Sequence, residues 1–571
     1  ELDTANKEYI KLDESLIGDA ADIVSFKKEE SRPTLDVYIK ISDNEEGNAF
    51  KRCAISKIFV YPDFIDKDDV NDKRMISKQI NNTSFRYHDY YLRDKVLHNH
   101  IFVTSNSYYA QSDYDKTINE LNQLGVFESV RAQYFEDTTR KEDVTWLNCV
   151  ILLSPAKKYD FSTSWEASTG TTYTLGSGLT INMYNKNVAK GANLLTVSLN
   201  GGVETQIDSN EKFQLLTRTA GLNTSLQFPK FLFPISKERY SIRNSPRTEV
   251  ALGANVLDRI NFFTLINVTS KFSYKWRETK TKSWEVTPFF INNISMPKID
   301  SLFQKRLDTN DFLKNSYRET FIEGENITWI YNNAALAKWY DDYSYVRLSI
   351  EEAGGIVSGV NKIAPSVVGN FSQYVKLDYD LRHFIKQKHA VTALRAYGGI
   401  GIPYGQSPTL PYLKQYFVGG PFSMSGWRIG TLGPGSYTNT NLSTAESRKS
   451  SASIDRTGDV KIELNGEYRF DIFKLFGGVL QFNGALFADA GNIWLYKPSE
   501  SYPDGHIKLN RLYTDFAVSS GAGIRIDIAS LFVFRFDLAI PLKIPGDLII
   551  PDKEIKQGWI VQDIDLMYNK W

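Results

Sequence analysis

The chain has 571 residues with Lys+Arg and Asp+Glu equal at 67 each, so it lacks the basic excess that nucleic-acid binding needs and the acidic excess of a solvating tail. At this length several units, or one large repetitive architecture, are expected rather than one ordinary soluble core. No run approaches the ~18 apolar residues of a membrane-spanning helix, and the mean hydropathy is −0.33. A helical membrane protein is thereby excluded, whereas a barrel is not, because its strands turn only alternate residues to lipid.

Aromatics form 13% of the chain while Met numbers only 5, a balance that favours strands and interfacial anchoring over helical packing. Up to about Pro155 the text mixes helix and strand. Thr34 to Ile41 alternates and resembles the last strand of a unit whose beginning precedes the chain. A second unit opens with the strand-like CAISKIFVY from Cys53 and closes with WLNCVILL from Trp146. Between them the spacing predicts a helix: Ser112 as cap, Asp115 completing a capping box, Ile118, Leu121 and Leu124 on its apolar side, and Gly125 at its end. Cys53 and Cys149 have no metal-type spacing and leave two readings open, a disulfide between neighbouring strands or two buried thiols. Tyr87, Tyr90 and Tyr91 around His88 are expected to pack within this unit. His98 and His100 lack the further ligands a metal site needs.

After Lys157 the period becomes two and stays so almost to the end. In Leu531–Leu542, Phe532, Phe534, Phe536, Leu538, Ile540 and Leu542 share a face opposite Arg535 and Asp537. Asp459–Phe470 and Tyr374–Phe384 repeat the scheme. About fifteen such segments lie between residues 158 and 544, many of ten or more residues, which suits tilted bilayer crossings rather than the ~5–6-residue strands of soluble sheets. The fold class predicted is an all-β transmembrane antiparallel barrel. Bacterial single-chain barrels have an even strand number, so a last strand is expected to be missing; the chain ends on IDLMYNKW without an alternating segment.

The loop between the eleventh and twelfth strands carries GGPFSMSGWRIGTLGPGSY, Gly419 to Tyr437. It resembles the loop-six motif of the BamA/TamA superfamily of outer-membrane insertases, closest to the TamA-like lipoproteins of Bacteroidetes (TamL). RTGDVKIELNGEYRF (Arg456–Phe470) and GALFADAGNIW (Gly484–Trp494) are similar to that group's next two strands. LNQLGVFESVRAQYF (Leu121–Phe135) resembles the end of a polypeptide-transport-associated (POTRA) domain, and GLTINMYNKNVAKGANLLTVSLNGG (Gly178–Gly202) the first barrel hairpin. The resemblance implies N-terminal α+β POTRA domains, with residues 1–48 the end of one and 49–156 the membrane-proximal one, ahead of a sixteen-stranded barrel at 157–571 with a plug-like loop at 406–457.

It further implies an outer-membrane location with the POTRA domains in the periplasm, and a lateral seam between first and last strands that receives client strands. The partners implied are unfolded outer-membrane protein clients, outer-membrane lipids, and a periplasm-spanning TamB-like protein or accessory lipoproteins, without nucleic acid. The missing segment would be strand sixteen. The motif residues are Gly419, Gly420, Ser425, Gly426, Trp427 and Arg428. Where the family has Arg before the central Gly, pairing with an acid on the lumen wall, this chain has Ser425; Asp489 matches the acid and Arg428 is the candidate substitute. A buried carboxylate without a cation needs other donors or water.

Other patterns point to architecture. Asp300–Lys314 reads as a helix in an outer loop, with Leu302, Phe303, Leu307 and Phe312 apolar, serving as a packed lid or as a docking surface. Thr438–Asp455 reads as a flexible surface loop. No nucleophile elbow, Walker loop, dinucleotide-binding glycine pattern or HExxH occurs, so neither an enzyme nor a cofactor or metal is expected. The function predicted is assembly and insertion of client barrels or surface proteins at the seam, with a two-partner-type secretion pore or a scaffold barrel of an envelope complex as alternatives.

Overall fold

A computed structural model describes residues 52–65, 72, 74–140, 144–169, 174–207, 213–232, 245–338, 341–363, 369–437, 456–529, 531–546, 548–550, 553–555 and 558–559. The expected strand at Thr34–Ile41, the loop at Thr438–Asp455 and the terminal IDLMYNKW lie outside the described residues.

The N-terminal domain is a five-stranded mixed sheet with two helices. Its strands are β1 (Cys53–Tyr61), β2 (Ile76–Ile80), β3 (Thr83–Tyr87), β4 (Phe127–Glu136) and β5 (Thr145–Pro155), in the order β2-β3-β1-β5-β4. Helices α1 (Asp94–Asn99) and α2 (Gln111–Gln123) precede β4. The core joins Ile55, Ile58 and Val60 of β1 with Phe85, Leu97, Leu121 and Ile151. Helix α2 starts one residue before the expected cap: Ala110 is the N-cap and no side chain caps it. Ser112 therefore lies inside the first turn, whereas Gly125 ends the helix at φ +67° as read.

Cys53 and Cys149 are free thiols. Their strands are neighbours, but the register sets Cys53 opposite Thr145 and Cys149 opposite Ile58. That offset separates the two by more than ~10 Å along the strands, beyond disulfide reach.

From Tyr159 the chain forms the predicted barrel sheet. Its strands are β6 (Tyr159–Ser168), β7 (Leu175–Val188), β8 (Asn193–Ile207), β9 (Phe213–Phe228), β10 (Arg247–Arg259), β11 (Phe263–Arg277), β12 (Lys282–Ile299) and β13 (Thr320–Asn332). There follow β14 (Tyr343–Ala353), β15 (Tyr374–Lys386), β16 (Ala390–Pro403), β17 (Val460–Leu475), β18 (Leu480–Trp494), β19 (Ala517–Ile528) and β20 (Phe532–Ile544). All fifteen pair antiparallel with their sequence neighbours. Beyond the small hairpin β21 (Leu548–Ile550) and β22 (Lys553–Ile555), a sixteenth strand, β23 (Gly558–Trp559), contributes two residues, opposite Lys543 and Ile544. The sixteen-stranded sheet is thus present, with its last member reduced to this pairing among the described residues.

The alternation separates lipid from lumen. Leu377, Tyr379 and Leu381 of β15 are exposed outward, while inward Asp380 meets Arg382 at 2.7 Å and Arg395 at 3.2 Å. Phe532, Phe534, Phe536 and Leu538 of β20 are likewise exposed. At the end nearest the N-terminal domain most strands are joined by short turns; the far end carries the long connections.

There, α3 (Ser301–Thr309) and α4 (Asp311–Ser316) form the helical loop after the seventh barrel strand. Phe303 and Leu307 are buried, as is Phe312, but Leu302 is 68% exposed and does not share their face. Tyr317 stacks on Tyr412 at 4.5 Å and Phe312 packs edge-on against Tyr502, so the loop is a packed lid. The N-terminal domain docks on the near end: Asn187 donates to the Tyr91 carbonyl at 2.8 Å, and Ser245 donates to Glu120 and Gln123 at 2.9 and 2.7 Å.

Leu121 is fully buried, so Leu121→Ala should cost about 2–5 kcal/mol, read as lost hydrogen-exchange protection of β1 and β5 amides in the full chain. Asp137 accepts from Thr139 and Ser56, which hold its carboxyl down at about 2. A depressed carboxylate stabilises the fold above its ordinary value of 3.8 and loses that contribution as pH falls through about 2. Asp137→Asn should therefore lower stability at neutral pH and flatten the acid limb between those values, checked by exchange of the same amides across pH.

Candidate functional site: the plug loop and the seam

The loop between β16 and β17 folds back into the lumen as a hairpin. Gly420 donates to the Trp427 carbonyl at 2.8 Å and Gly430 to the Val418 carbonyl at 3.0 Å. Gly419, at φ +110°, lets the arms approach so closely that a Cβ there would lie 2.2 Å from the Arg428 carbonyl oxygen. Val418, Met424 and Leu432 pack with Ile493 and Ala517, and Trp427 lies against this cluster.

The tip is bonded to β17, β18 and β20 and lies close against β19. Asp489 on β18 accepts from the Ser425 backbone N–H at 3.0 Å, from Asn465 Nδ2 on β17 at 2.9 Å, and from Ser519 Oγ on β19 at 3.3 Å. Asn465 also donates to the Ser423 carbonyl at 3.1 Å, and the Ser423 hydroxyl donates to Glu463. On β20, Arg535 donates to the Pro421 carbonyl at 3.1 Å and lies 5.0 Å from the Phe422 ring centroid. A Cβ on Gly426 would stand 2.7 Å from Ser519 Cβ and 3.1 Å from the Pro541 nitrogen, so the hairpin presses on β19 and β20 with no room for a side chain.

Of the residues singled out in the sequence, Ser425 and Asp489 meet, but through Ser425's backbone. Arg428 forms no ion pair with Asp489 among the described residues: it sits on the returning arm with its carbonyl against Gly419, and its Nε lacks an acceptor there. Asp489 obtains neutral donors instead. Asn465, Ser519, Glu463 and Arg535 escaped the sequence reading. Register supplies the first two, since Asn465 and Ser519 stand directly opposite Asp489 on its two neighbouring strands.

Elsewhere, His100 Nδ1 lies 2.7 Å from the Val96 carbonyl and His98 Nε2 lies 3.2 Å from Asn81. No cluster of three or more His, Cys, Asp or Glu suited to a metal exists among the described residues. Tyr87 is buried, while Tyr91 donates to the Val126 and Ala156 carbonyls.

The ends of the sheet differ from its wall. Every residue of β6 from Tyr159 to Ala167 is exposed, as is every residue of β20 from Phe532 to Leu538. β6 is open on both faces, whereas on β20 the outward face is open and the inward Arg535 and Asp537 side chains are covered from the lumen side; β6 and β23 terminate the sheet order.

A long-stranded barrel with a lumen-anchored loop and a docked α+β domain defines a transmembrane transport or assembly barrel. The chain belongs to the Omp85 superfamily, whose domain matches residues 157–550. Barrels of this family sit in the outer membrane, and its members are insertases or transporters rather than enzymes. Among solved structures, BamA from Haemophilus ducreyi lacking POTRA domains 1–3 aligns at 12% identity and TM-score 0.55, covering 85% of this chain and 87% of that one. CdiB from Acinetobacter baumannii aligns at 10% identity and TM-score 0.49, with 93% and 92% covered. CdiB from Escherichia coli does so at 11% and 0.48, with 90% of each chain covered. No curated protein sequence matches.

Asp489→Ala would leave buried donors unpaired at about 1–3 kcal/mol, and Gly426→Ala would force overpacking at about 1–3 kcal/mol. Both should increase protease cleavage within 419–437 while the barrel stays heat-modifiable on gels.

Proposed function

We propose that the protein assembles and inserts client β-barrels or surface proteins at a lateral seam between the first and last strands of the barrel, with β6 on one side and β20 with its short partner β23 on the other. The observation that carries this reading is the exposure of β6 over Tyr159–Ala167 and of β20 over Phe532–Leu538 at the two ends of the sheet, against a wall that alternates elsewhere. An unpaired strand edge presents a row of N–H and C=O groups, and an incoming client strand satisfies them by β-augmentation. The reaction needs no covalent step.

The long loops face outward and the short turns face the periplasm, following the asymmetry of outer-membrane barrels. Residues 49–156 are then the membrane-proximal POTRA domain and 1–48 the end of a preceding one. Clients arrive along that arm, from a TamB-like protein or with accessory lipoproteins, and the motif set favours the TamL subgroup. The bonds that hold the plug hairpin to β17, β18 and β20 favour lateral insertion over threading a chain through the lumen, since a threaded pore must first release them.

The test is photo-crosslinking from Trp165 on β6 and Phe534 on β20, with Leu348 on the opposite wall as control, in cells carrying out envelope assembly. Adducts with unfolded barrel clients at 165 and 534 but not at 348 are expected. Adducts confined to lumen positions such as Asp380 would establish the pore reading instead.

A further inference from the structure

Between β14 and β15 the chain forms α5 (Gly355–Ile363), GIVSGVNKI. Ile356, Val360 and Ile363 follow the i, i+4, i+7 spacing of one helical face. In a water-soluble protein that face would turn inward; here it points away, with Ile356 51%, Val360 43% and Ile363 88% exposed.

The opposite side, with buried Val357 and half-buried Ser358 and Asn361, faces the barrel. On β13, Glu323 and Glu325 share a face with the exposed Ile327, so α5 lies on the outer wall. Glu323 is buried beside Val357 in the first turn of α5, and Glu352 of β14 lies against Gly355. Gly354, at φ +88°, makes the fold-back, its N–H donating to the Glu323 carbonyl at 2.8 Å. A carboxylate at the start of a helix is favoured by the helix dipole. Tyr404 bonds Glu352 from across the wall and donates to the Ala353 carbonyl at 3.2 Å.

Just below, Ile327, Leu348 and Ile350 belong to the exposed belt of β13 and β14. The apolar face of α5 therefore continues the lipid-facing surface of these two strands at their far end. We propose that α5 is an interfacial helix embedded in the outer leaflet, seating lipid acyl chains on Ile356, Val360 and Ile363. The choice of leaflet rests on the orientation proposed above. β13 and β14 are the eighth and ninth of sixteen strands in the sheet order, so the helix anchors the wall farthest from the seam. It makes the apolar band taller there than strands alone would, matching a thicker bilayer at that wall.

The test uses the full chain with Cys53→Ser, leaving the buried Cys149, reconstituted in phosphatidylethanolamine/phosphatidylglycerol vesicles. Val360→Cys, Leu348→Cys and Lys305→Cys each carry a nitroxide, and heat-modifiability confirms folding. Collision with oxygen, which partitions into lipid, is compared with collision with a water-soluble nickel chelate. A several-fold higher oxygen-to-nickel ratio at 360 than at 305, close to that at 348, is expected. A ratio at 360 equal to that at 305, with 348 still lipid-like, overturns the proposal while leaving the barrel reading intact. A water-like ratio at 348 would overturn the membrane placement on which both depend.

Discussion

Backbone pairing in a medium without water is the constraint on which the rest of this structure depends. In hydrocarbon each unpaired N–H or C=O costs several kcal/mol, so the chain spends fifteen long strands on an antiparallel ladder in which each pairs with its sequence neighbour. That requirement sets strand length and leaves unpaired backbone at the two places where the ladder ends. β6 and β20 are exposed along most of their length there.

The lumen is stabilised by a different logic. Charges are paired across the wall, as with Arg395 between Asp380 and Glu463, and the plug hairpin is held by backbone and neutral side-chain donors. With Ser425 before the central Gly426, the Asp489 carboxylate is met by three such donors. Distribution over several bonds makes the attachment tolerant of losing one and spreads it over β17, β18 and β20. The hairpin acts as a splint on the C-terminal quarter of the barrel.

The fold was largely legible because the barrel's physics is periodic. Alternation in β15, β17 and β20 set lipid and lumen faces before any coordinates, and the helical loop after the seventh strand was readable from its apolar spacing. Information that depends on register was not legible. The opposition of Asn465, Asp489 and Ser519 arises only when three strands align, and the same offset keeps Cys53 from Cys149. The α2 cap was misplaced because Ala110 already has the extended conformation of an N-cap without offering a side-chain acceptor. The outward apolar face of α5 went unread because a nine-residue segment with two internal glycines carries little helical signal.

The attachment of the hairpin also makes the two leaves of the seam mechanically unequal. β20 is tied from inside through Arg535 to Pro421 and by the close seat of Gly426, whereas no bond from the hairpin reaches β6 among the described residues. β6 instead follows the docked domain, whose last strand ends at Pro155, four residues before it begins. A load applied along the N-terminal arm would thus be transmitted to the loose leaf while the other stays braced. One end of the sheet is free to follow the N-terminal domain while the other is held from inside the lumen.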